Sequence, residues 1–162
     1  RFTPVGNTDS ERAFCYLLEQ LVVRFGYCEP SLNDIFQVLE ELSPQIAEYG
    51  TFNFCLSNGQ ALFSYATTKL HWLVREYPFK PAQLIDLDVE VDFSQMTTSE
   101  DRVAVITTEP LTQNETWTAF KAGEMILFQA GQPIKNVITA VKRLIREAAD
   151  PSLKRVTPAD LY

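Results

Sequence analysis

Histidine and cysteine are scarce in this 162-residue chain, and their scarcity narrows the chemistry open to it. The single histidine, His71, excludes a metal site built on several imidazoles and any mechanism that needs two of them. The three cysteines, Cys15, Cys28 and Cys55, form no C-x-x-C pair, so neither a disulfide framework nor a zinc knuckle is expected. We therefore expect reduced thiols and a cytoplasmic protein.

Several common motifs are also missing. No apolar run is long enough to cross a membrane, and the first residues do not have the layout of a signal peptide. The chain contains no Gly-x-Ser-x-Gly elbow, no phosphate-binding glycine loop and no dinucleotide fingerprint. The motifs of the common hydrolases and nucleotide-binding proteins are therefore absent, and no cofactor is expected. Because the chain does not begin with methionine, we expect it to be processed or truncated.

Basic residues are few over most of the chain. Residues 1–132 contain 8 Lys or Arg against 18 Asp or Glu, whereas residues 133–162 contain 6 against 3. Nucleic-acid phosphates require a basic surface, so the acidic bulk argues against a nucleic-acid partner. The 46% hydrophobic and 22% charged composition is that of a globular protein, and the length fits one domain.

The segment Gly6-Asn7-Thr8-Asp9-Ser10-Glu11 predicts the start of a helix. Thr8 and Glu11 have capping-box spacing, in which the threonine hydroxyl accepts one backbone N–H and the glutamate reaches back for another. Asp9 then occupies the first helical position, where the positive end of the helix dipole favours an anion. This carboxylate is either an ordinary first-turn acid or the partner of a ligand's ammonium group, and the spacing alone favours the ordinary acid.

Two amphipathic helices are predicted in the first third of the chain. The first has an apolar stripe at i, i+3 and i+4 spacing, formed by Phe14, Leu17, Leu18, Leu21, Val22 and Phe25. Gly26 is its predicted stop. The second begins with Ser31 and Asp34 as a cap pair and continues to Tyr49-Gly50. Within it, Ser43-Pro44 predicts a kink or a restart with Ser43 as a new cap.

From Thr51 the apolar period changes to two, as in a half-buried strand. Asn58-Gly59 predicts a tight hairpin turn, and residues 60–66 form the returning strand. Further strands are predicted over residues 70–75, 89–93, 103–107 and 125–129. Residues 103–106 are apolar in succession, so we expect that strand to be covered on both faces. Two helices followed by antiparallel strands indicate the α+β class.

The final segment, residues 133–162, is predicted to be an amphipathic basic helix and tail of the same domain as residues 1–132. Apolar residues recur at helical spacing from Pro133 to Ala149, and Asp150-Pro151 ends the pattern. The basic residues of this helix are Lys135, Lys142, Arg143 and Arg146. Such a helix can bind a membrane surface or an acidic partner, but packing of its apolar stripe on its own domain is the favoured interpretation.

Two other groups of residues have a chemical and a plain interpretation. Cys55 and His71 are a conceivable nucleophile pair, yet nothing in their spacing brings them together, and a structural strand histidine is favoured. An acidic series alternates with apolar residues at Asp86, Asp88, Glu90 and Asp92. It lacks the glycine and the distal glutamate of a calcium loop, so a solvated strand face is favoured and no metal site is expected.

Five segments, taken in order, carry a family resemblance. They are Val5–Phe14, Phe52–Gly59, Leu70–Trp72, Asp88–Ser94, and Thr108–Thr112 with Trp117. Together they resemble the small stand-alone class II glutamine amidotransferases over roughly residues 1–131. Each segment is short, but their agreement in order makes the match fairly specific.

The resemblance implies a four-layer αββα sandwich of the N-terminal-nucleophile hydrolase kind. In that family an N-terminal cysteine thiol attacks the side-chain amide of glutamine and releases ammonia. An aspartate in the helix-capping motif binds the α-amino group of the substrate, and the matching position here is Asp9. Thr8 and Glu11 then support the site as its helix cap. The expected ligand is glutamine or another γ-glutamyl compound, and no membrane partner is implied.

The chain also departs from the family pattern. Because it begins at Arg1, we expect the nucleophilic cysteine, the carboxylate-binding arginine and the Asn-Gly oxyanion pair in an N-terminal segment upstream. Asn58-Gly59 matches the family's later hairpin turn, so the oxyanion role is not transferred to it. The 162-residue chain alone is therefore expected to be inactive. A non-catalytic binding or assembly module on the same fold remains the alternative.

Overall fold

The computed structural model describes residues 1–85, 90–92 and 97–142. Among the described residues the chain forms two compact units, one of Arg1–Phe52 with residues 139–142 and one of Asn53–Ile138. The first contains the helices α1 (Asp9–Phe25) and α2 (Leu32–Ile46). The second contains β1 (Phe54–Ser57), β2 (Leu62–Ala66), β3 (His71–Glu76), β4 (Ala82–Gln83), β5 (Glu90–Val91), β6 (Arg102–Thr107), β7 (Thr118–Ala119), β8 (Glu124–Gln129) and β9 (Gln132–Ile138).

Helix α1 has the predicted ends. It starts after Thr8, and it stops at Gly26, whose φ of 63° places it in the left-handed region and whose N–H donates to the carbonyl of Val22. Its apolar stripe is unevenly covered, because Leu17 is 3% exposed whereas Phe14 is 47% exposed.

Helix α2 begins as predicted but continues past the predicted break. Ser31 and Asp34 form a complete capping box. Pro44 lies inside the helix, so the expected restart at Ser43 is wrong, as is the extension to Tyr49-Gly50. Ser43 is fully buried and its hydroxyl donates to the carbonyl of Leu39 at 2.6 Å, an acceptor one turn back in its own helix.

The two helices pack against each other and share one ion pair. Arg24 in the last turn of α1 donates to both carboxylate oxygens of Glu41 in α2, each at 2.7 Å. This bidentate bond lowers the pKa of Glu41. The side of α2 that is buried consists of Ile35, Phe36, Val38, Leu39 and Leu42. The Arg24–Glu41 pair therefore links the last turn of α1 to α2.

The second unit contains two larger antiparallel sheets and a short strand pair. One sheet has the order β1-β2-β8-β9, the other the order β6-β3-β7, and β4 pairs with β5. Apolar side chains from both larger sheets form one core, which consists of Leu62, Ala66, Leu70, Trp72, Ala104, Ile106, Phe120, Ile126 and Phe128. Trp72 of β3 meets Phe128 of β8 edge to face, with 5.6 Å between ring centroids. The two sheets therefore pack face to face, and the α+β class is confirmed.

The predicted β1–β2 hairpin is confirmed, although its turn is longer than expected. Residues 58–61 connect the strands, and Gly59 has a φ of 87°. The Asn58 side chain accepts hydrogen bonds from the backbone N–H groups of Gln60 and Ala61 at 3.1 and 3.0 Å. An asparagine side chain thus organises the turn in place of the two-residue geometry that Asn-Gly usually favours.

Two predictions about strands are wrong. The helix expected from Pro133 does not start there, because Gln132–Ile138 is strand β9 at the edge of the first sheet. Lys142 is helical, and Arg143 and Arg146 lie outside the described residues.

Strand β6 is not covered on both faces: it is an edge strand whose Val103 is 45% exposed. Continuous burial is found in the central strand β8 instead, where residues 124–128 are all buried.

Candidate functional site

The first turn of α1 carries the site residues that the sequence predicts. The hydroxyl of Thr8 accepts a hydrogen bond from the backbone N–H of Glu11 at 3.3 Å, and the carbonyl of Thr8 accepts the N–H of Arg12 at 3.2 Å. Thr8 therefore caps the helix as expected. This cap makes Asp9 the first helical residue and places its carboxylate at the positive end of the helix dipole.

Glu11 binds further upstream than a capping box requires. One carboxylate oxygen accepts the N–H of Val5 and the other accepts the N–H of Gly6, each at 2.8 Å. The prediction that Glu11 reaches back for an N–H at the helix start is thus wrong in its partner. Instead, its carboxylate ties the lead-in segment, defined as Val5–Thr8, onto the first turn of α1. Both oxygens of Glu11 are occupied by backbone donors.

Gly6 leaves the space that the Glu11 contact needs. A Cβ atom added at this position would lie 2.7 Å from one carboxylate oxygen of Glu11, closer than real Cβ contacts allow. The φ of Gly6 is not in the left-handed region, so a side chain at this position would act by displacing the Glu11 carboxylate rather than by straining the backbone. The lead-in segment and the Glu11 side chain are therefore fitted to each other.

Asp9 differs from Glu11 in how its oxygens are used. Its Oδ1 atom accepts the N–H of Ser10 at 2.7 Å and is 3.4 Å from the hydroxyl of the same residue. Within the part of the chain that the structure describes, no group donates to Oδ2 and no cation pairs with the carboxylate. The residue is exposed. Asp9 thus presents an anionic oxygen at a helix N-terminus, suited to bind a cationic group.

Cys55 and His71 have separate partners. The thiol of Cys55 on β1 lies 3.3 Å from the hydroxyl of Ser64, whereas Nδ1 of His71 on β3 lies 3.0 Å from the carbonyl of Thr108. The two strands belong to different sheets. The plain interpretation of His71 as a strand histidine is thus favoured.

Two of the four residues in the acidic series, Asp86 and Asp88, lie outside the described residues. Among the residues that are described, no group of three or more His, Cys, Asp or Glu side chains could hold a metal ion. The same residues include no helix that is long and apolar enough to cross a membrane.

A second polar network lies in the sheet unit, and sequence reasoning missed it. Arg75 on β3 donates to both carboxylate oxygens of Glu115 at 2.7 Å. The hydroxyl of Thr112 also donates to Glu115, at 2.6 Å, and the indole N–H of Trp117 donates to Thr112 at 3.0 Å. The hydrogen bonds from Arg75, and next that from Thr112, lower the pKa of Glu115, opposed by desolvation. The 40-residue separation of Arg75 and Glu115 left no local sequence signal.

The sheet unit also contains an open pocket of about 420 Å³. It lies between β8 and β9 on one side and β3 and β7 on the other, with Trp72, Lys121, Glu124 and Lys135 in its lining. Glu124 is 7% exposed and accepts hydrogen bonds from the N–H of Lys121 at 2.8 Å and from the amide of Asn136 at 3.2 Å. Its carboxylate is thus already held by the sheet.

Comparison with known proteins connects this arrangement to one family. The sequence model of the class-II glutamine amidotransferases matches residues 1–152 of the chain. The match includes the first turn of α1 and all the described strands.

Individual relatives agree with the family match. The chain is 44% identical over 133 residues to YafJ of Escherichia coli (strain K12), which covers 82% of this chain and 52% of that protein. It is 42% identical over 142 residues to a protein of Haemophilus influenzae, covering 88% of this chain and 48% of the relative. Both relatives have names that assign them provisionally to the glutamine amidotransferases. The chain therefore spans about half the length of the curated relatives it matches.

A solved structure supports the fold. The crystal structure, at 2.0 Å, of a protein from Pseudomonas aeruginosa PA01 superimposes with a TM-score of 0.75 at 40% sequence identity. The match covers 83% of this chain and 53% of the other. That protein is also named, provisionally, as a glutamine amidotransferase.

Proposed function

The chain belongs to the class II glutamine amidotransferase family, and we propose that the complete protein releases ammonia from glutamine or from another γ-glutamyl compound. In this proposal an N-terminal cysteine upstream of Arg1 supplies the nucleophile. Its thiol attacks the carbonyl carbon of the side-chain amide, and the C–N bond breaks as the amide nitrogen takes the thiol proton and leaves as ammonia. Water then hydrolyses the resulting thioester, which releases the carboxylic acid and restores the thiol. The oxyanion donors and the group that grips the substrate carboxylate are placed upstream as well.

Asp9 is the residue of this chain that we assign to the substrate. Its proposed role is to pair with the α-ammonium group of glutamine and so hold the amide within reach of the thiol. A charge-assisted hydrogen bond of this kind is strong and directional, and positioning of a reactant lowers the entropic part of the barrier.

One observation carries the assignment of Asp9 over its neighbour. The first turn of α1 contains two carboxylates, and both oxygens of Glu11 accept hydrogen bonds from the backbone N–H groups of Val5 and Gly6. Asp9 keeps one oxygen that receives no bond from any described residue. Of these two acids, Asp9 therefore has the carboxylate oxygen that no described backbone donor engages, which favours it as the acceptor for a ligand cation.

The test is the substitution Asp9→Asn in the complete protein. Asparagine keeps the oxygen that accepts the N–H of Ser10 and removes the charge that attracts the ammonium group. We expect the KM for L-glutamine to rise at least about tenfold, since a bond between charged groups is worth on the order of 1.5–3 kcal/mol. Steady-state ammonia release against glutamine concentration gives this value.

The matched control is Asp34→Asn. Asp34 is also a carboxylate in the first turn of a helix, and it accepts the N–H of Ser31 at 3.0 Å in the capping box of α2. We expect this variant to lose some thermal stability and to keep its KM. Equal KM values in wild type and Asp9→Asn would return Asp9 to a purely capping role. A complete protein that neither binds nor hydrolyses glutamine would favour the non-catalytic module.

A further inference from the structure

We infer that Glu11 is a positioning residue for the glutamine site, acting through Asp9, and that Gly6 is its structural counterpart. The inference rests on the proposed role of Asp9. Glu11 makes no contact with the ligand in this scheme, because both of its oxygens are held by the lead-in segment at 2.8 Å.

The bonds of Glu11 close a small ring of backbone that includes Asp9. The ring runs from Gly6 through Thr8 and Asp9 to Glu11, and the 2.8 Å bond from the Gly6 N–H to the Glu11 carboxylate completes it. The bond from the Glu11 N–H to the Thr8 hydroxyl, at 3.3 Å, is a second link between residues within this ring. Closing the ring removes conformational freedom from the residues that precede the helix. The backbone from which the Asp9 side chain projects is thereby held in place before a ligand arrives.

A carboxylate, and not merely a polar group, is needed at position 11. Two backbone N–H donors face the two oxygens, and both bonds are charge-assisted. Glutamine has the same length but offers one oxygen and one NH2 group, so it can accept only one of the two amides and sets a donor against the other. Glu11→Gln therefore removes one of the two hydrogen bonds that hold the lead-in segment, with almost no change in side-chain volume.

The first experiment measures the complete protein and its Glu11→Gln variant with L-glutamine. We expect the KM, or the Kd from calorimetry where turnover is slow, to rise about five- to tenfold while kcat falls less than about twofold. The control is again Asp34→Asn, which removes the charge from a similar bond to a backbone N–H at the start of α2. It should change the melting temperature and leave the KM as it is.

The second experiment separates positioning from simple capping. If Glu11 acts through Asp9, then adding Glu11→Gln to Asp9→Asn should cause little further rise in KM, because the group being positioned is already disabled. Two independent effects would multiply instead. A double-mutant cycle of the four proteins gives the coupling, and multiplicative KM changes overturn the inference.

Gly6→Ala approaches the same contact from the opposite side and keeps the inference testable if Glu11→Gln fails to fold. Its added methyl group meets the carboxylate of Glu11, so the KM should rise in the same direction. Unchanged KM in both variants overturns the role of Glu11. The proposed function fails separately, if the complete protein releases no ammonia from L-glutamine, and the role of Asp9 fails if Asp9→Asn keeps the wild-type KM. Unchanged KM values in Glu11→Gln and Gly6→Ala beside a raised KM in Asp9→Asn therefore overturn only this inference.

Discussion

At the scale of single residues, the chain uses neighbouring carboxylates in different ways. Asp9 and Glu11 are two positions apart, yet only Glu11 has both oxygens bonded to backbone amides. Glu115 is a third case, because its carboxylate is shared by an arginine and a threonine and is only 17% exposed. The surroundings of each acid, rather than its type, decide whether it can serve a ligand, a loop or a sheet.

The Arg75–Glu115 pair predicts a component of stability that depends on pH. The pKa of Glu115 is lowered in the folded protein, mainly by its bonds to Arg75. Its stabilising contribution is therefore complete above the ordinary glutamate pKa of about 4.3 and disappears as the pH falls below that value, through the lowered pKa. We expect wild type to melt at a higher temperature than Glu115→Gln at pH 7, with the difference shrinking towards pH 3.

Thermal unfolding across this pH range, followed by circular dichroism, measures the difference. The exposed Glu100→Gln is the control for loss of one carboxylate. A gap between wild type and Glu115→Gln that stays constant from pH 7 to pH 3 would show that the charge of Glu115 contributes nothing and that only shape is lost.

At the scale of elements, the β8–β9 hairpin contains a strained residue. Gln129 pairs with Gln132, so Ala130 and Gly131 form a two-residue turn, and their φ angles are 49° and 73°. Two successive left-handed residues are typical of a type I′ turn, whose preferred sequence is Asn-Gly. Alanine in this conformation is disfavoured because its Cβ crowds the backbone.

We therefore predict that Ala130→Asn stabilises the protein by roughly 0.5–1 kcal/mol. The reverse probe is Gly131→Ala, which places a left-handed alanine beside the backbone of Arg102 and should destabilise by more than that. Urea unfolding of the three proteins provides both values. A loss of stability in Ala130→Asn would indicate that the turn is held by contacts other than its own backbone preference.

The strands that the sequence predicts are those with a clear period or a long apolar run. β1, β3 and β8 were identifiable from their own residues, whereas β4 and β7 contain two residues each, too few to show a period. β9 was mistaken for a helix because Ile134, Val137 and Ile138 satisfy helical spacing, while pairing with β8 decides the outcome. The pairing of β9 with the preceding strand β8 is not visible in the spacing of the apolar residues of β9.

In the candidate site, too, some features could be predicted from local spacing and others could not. The cap at Thr8 and the position of Asp9 follow from spacing within four residues. The bonds from Glu11 to Val5 and Gly6 depend on how the chain approaches the helix, and a capping-box pattern specifies only the partner within the helix start. The proposed substrate role of Asp9 came from family resemblance, since an acid in a first turn has the same spacing whether or not it binds a ligand.

At the scale of the whole molecule, the chain carries about half of its relatives' length, and the proposed nucleophile is not within it. We predict that the isolated 162-residue chain releases no ammonia from L-glutamine. The complete protein should do so under the same conditions. Coupled detection of ammonia, with the chain at the same molar concentration, makes the comparison.

Ammonia release by the isolated chain would contradict an upstream nucleophile. The candidates would then be Cys15, Cys28 and Cys55, the three thiols of this chain. Single alanine substitutions at these positions would identify the thiol responsible.

The edge-to-face contact of Trp72 with Phe128 also has an optical consequence. The chain has two tryptophans, and they lie in different surroundings. Trp72 belongs to the apolar core shared by the two sheets, whereas the indole N–H of Trp117 is bonded to Thr112 in the Arg75–Glu115 network. Fluorescence from Trp72 therefore follows the separation of the sheets, whereas fluorescence from Trp117 follows the integrity of the network. Replacing either tryptophan with phenylalanine leaves one fluorescent indole, which reports only one of these two events.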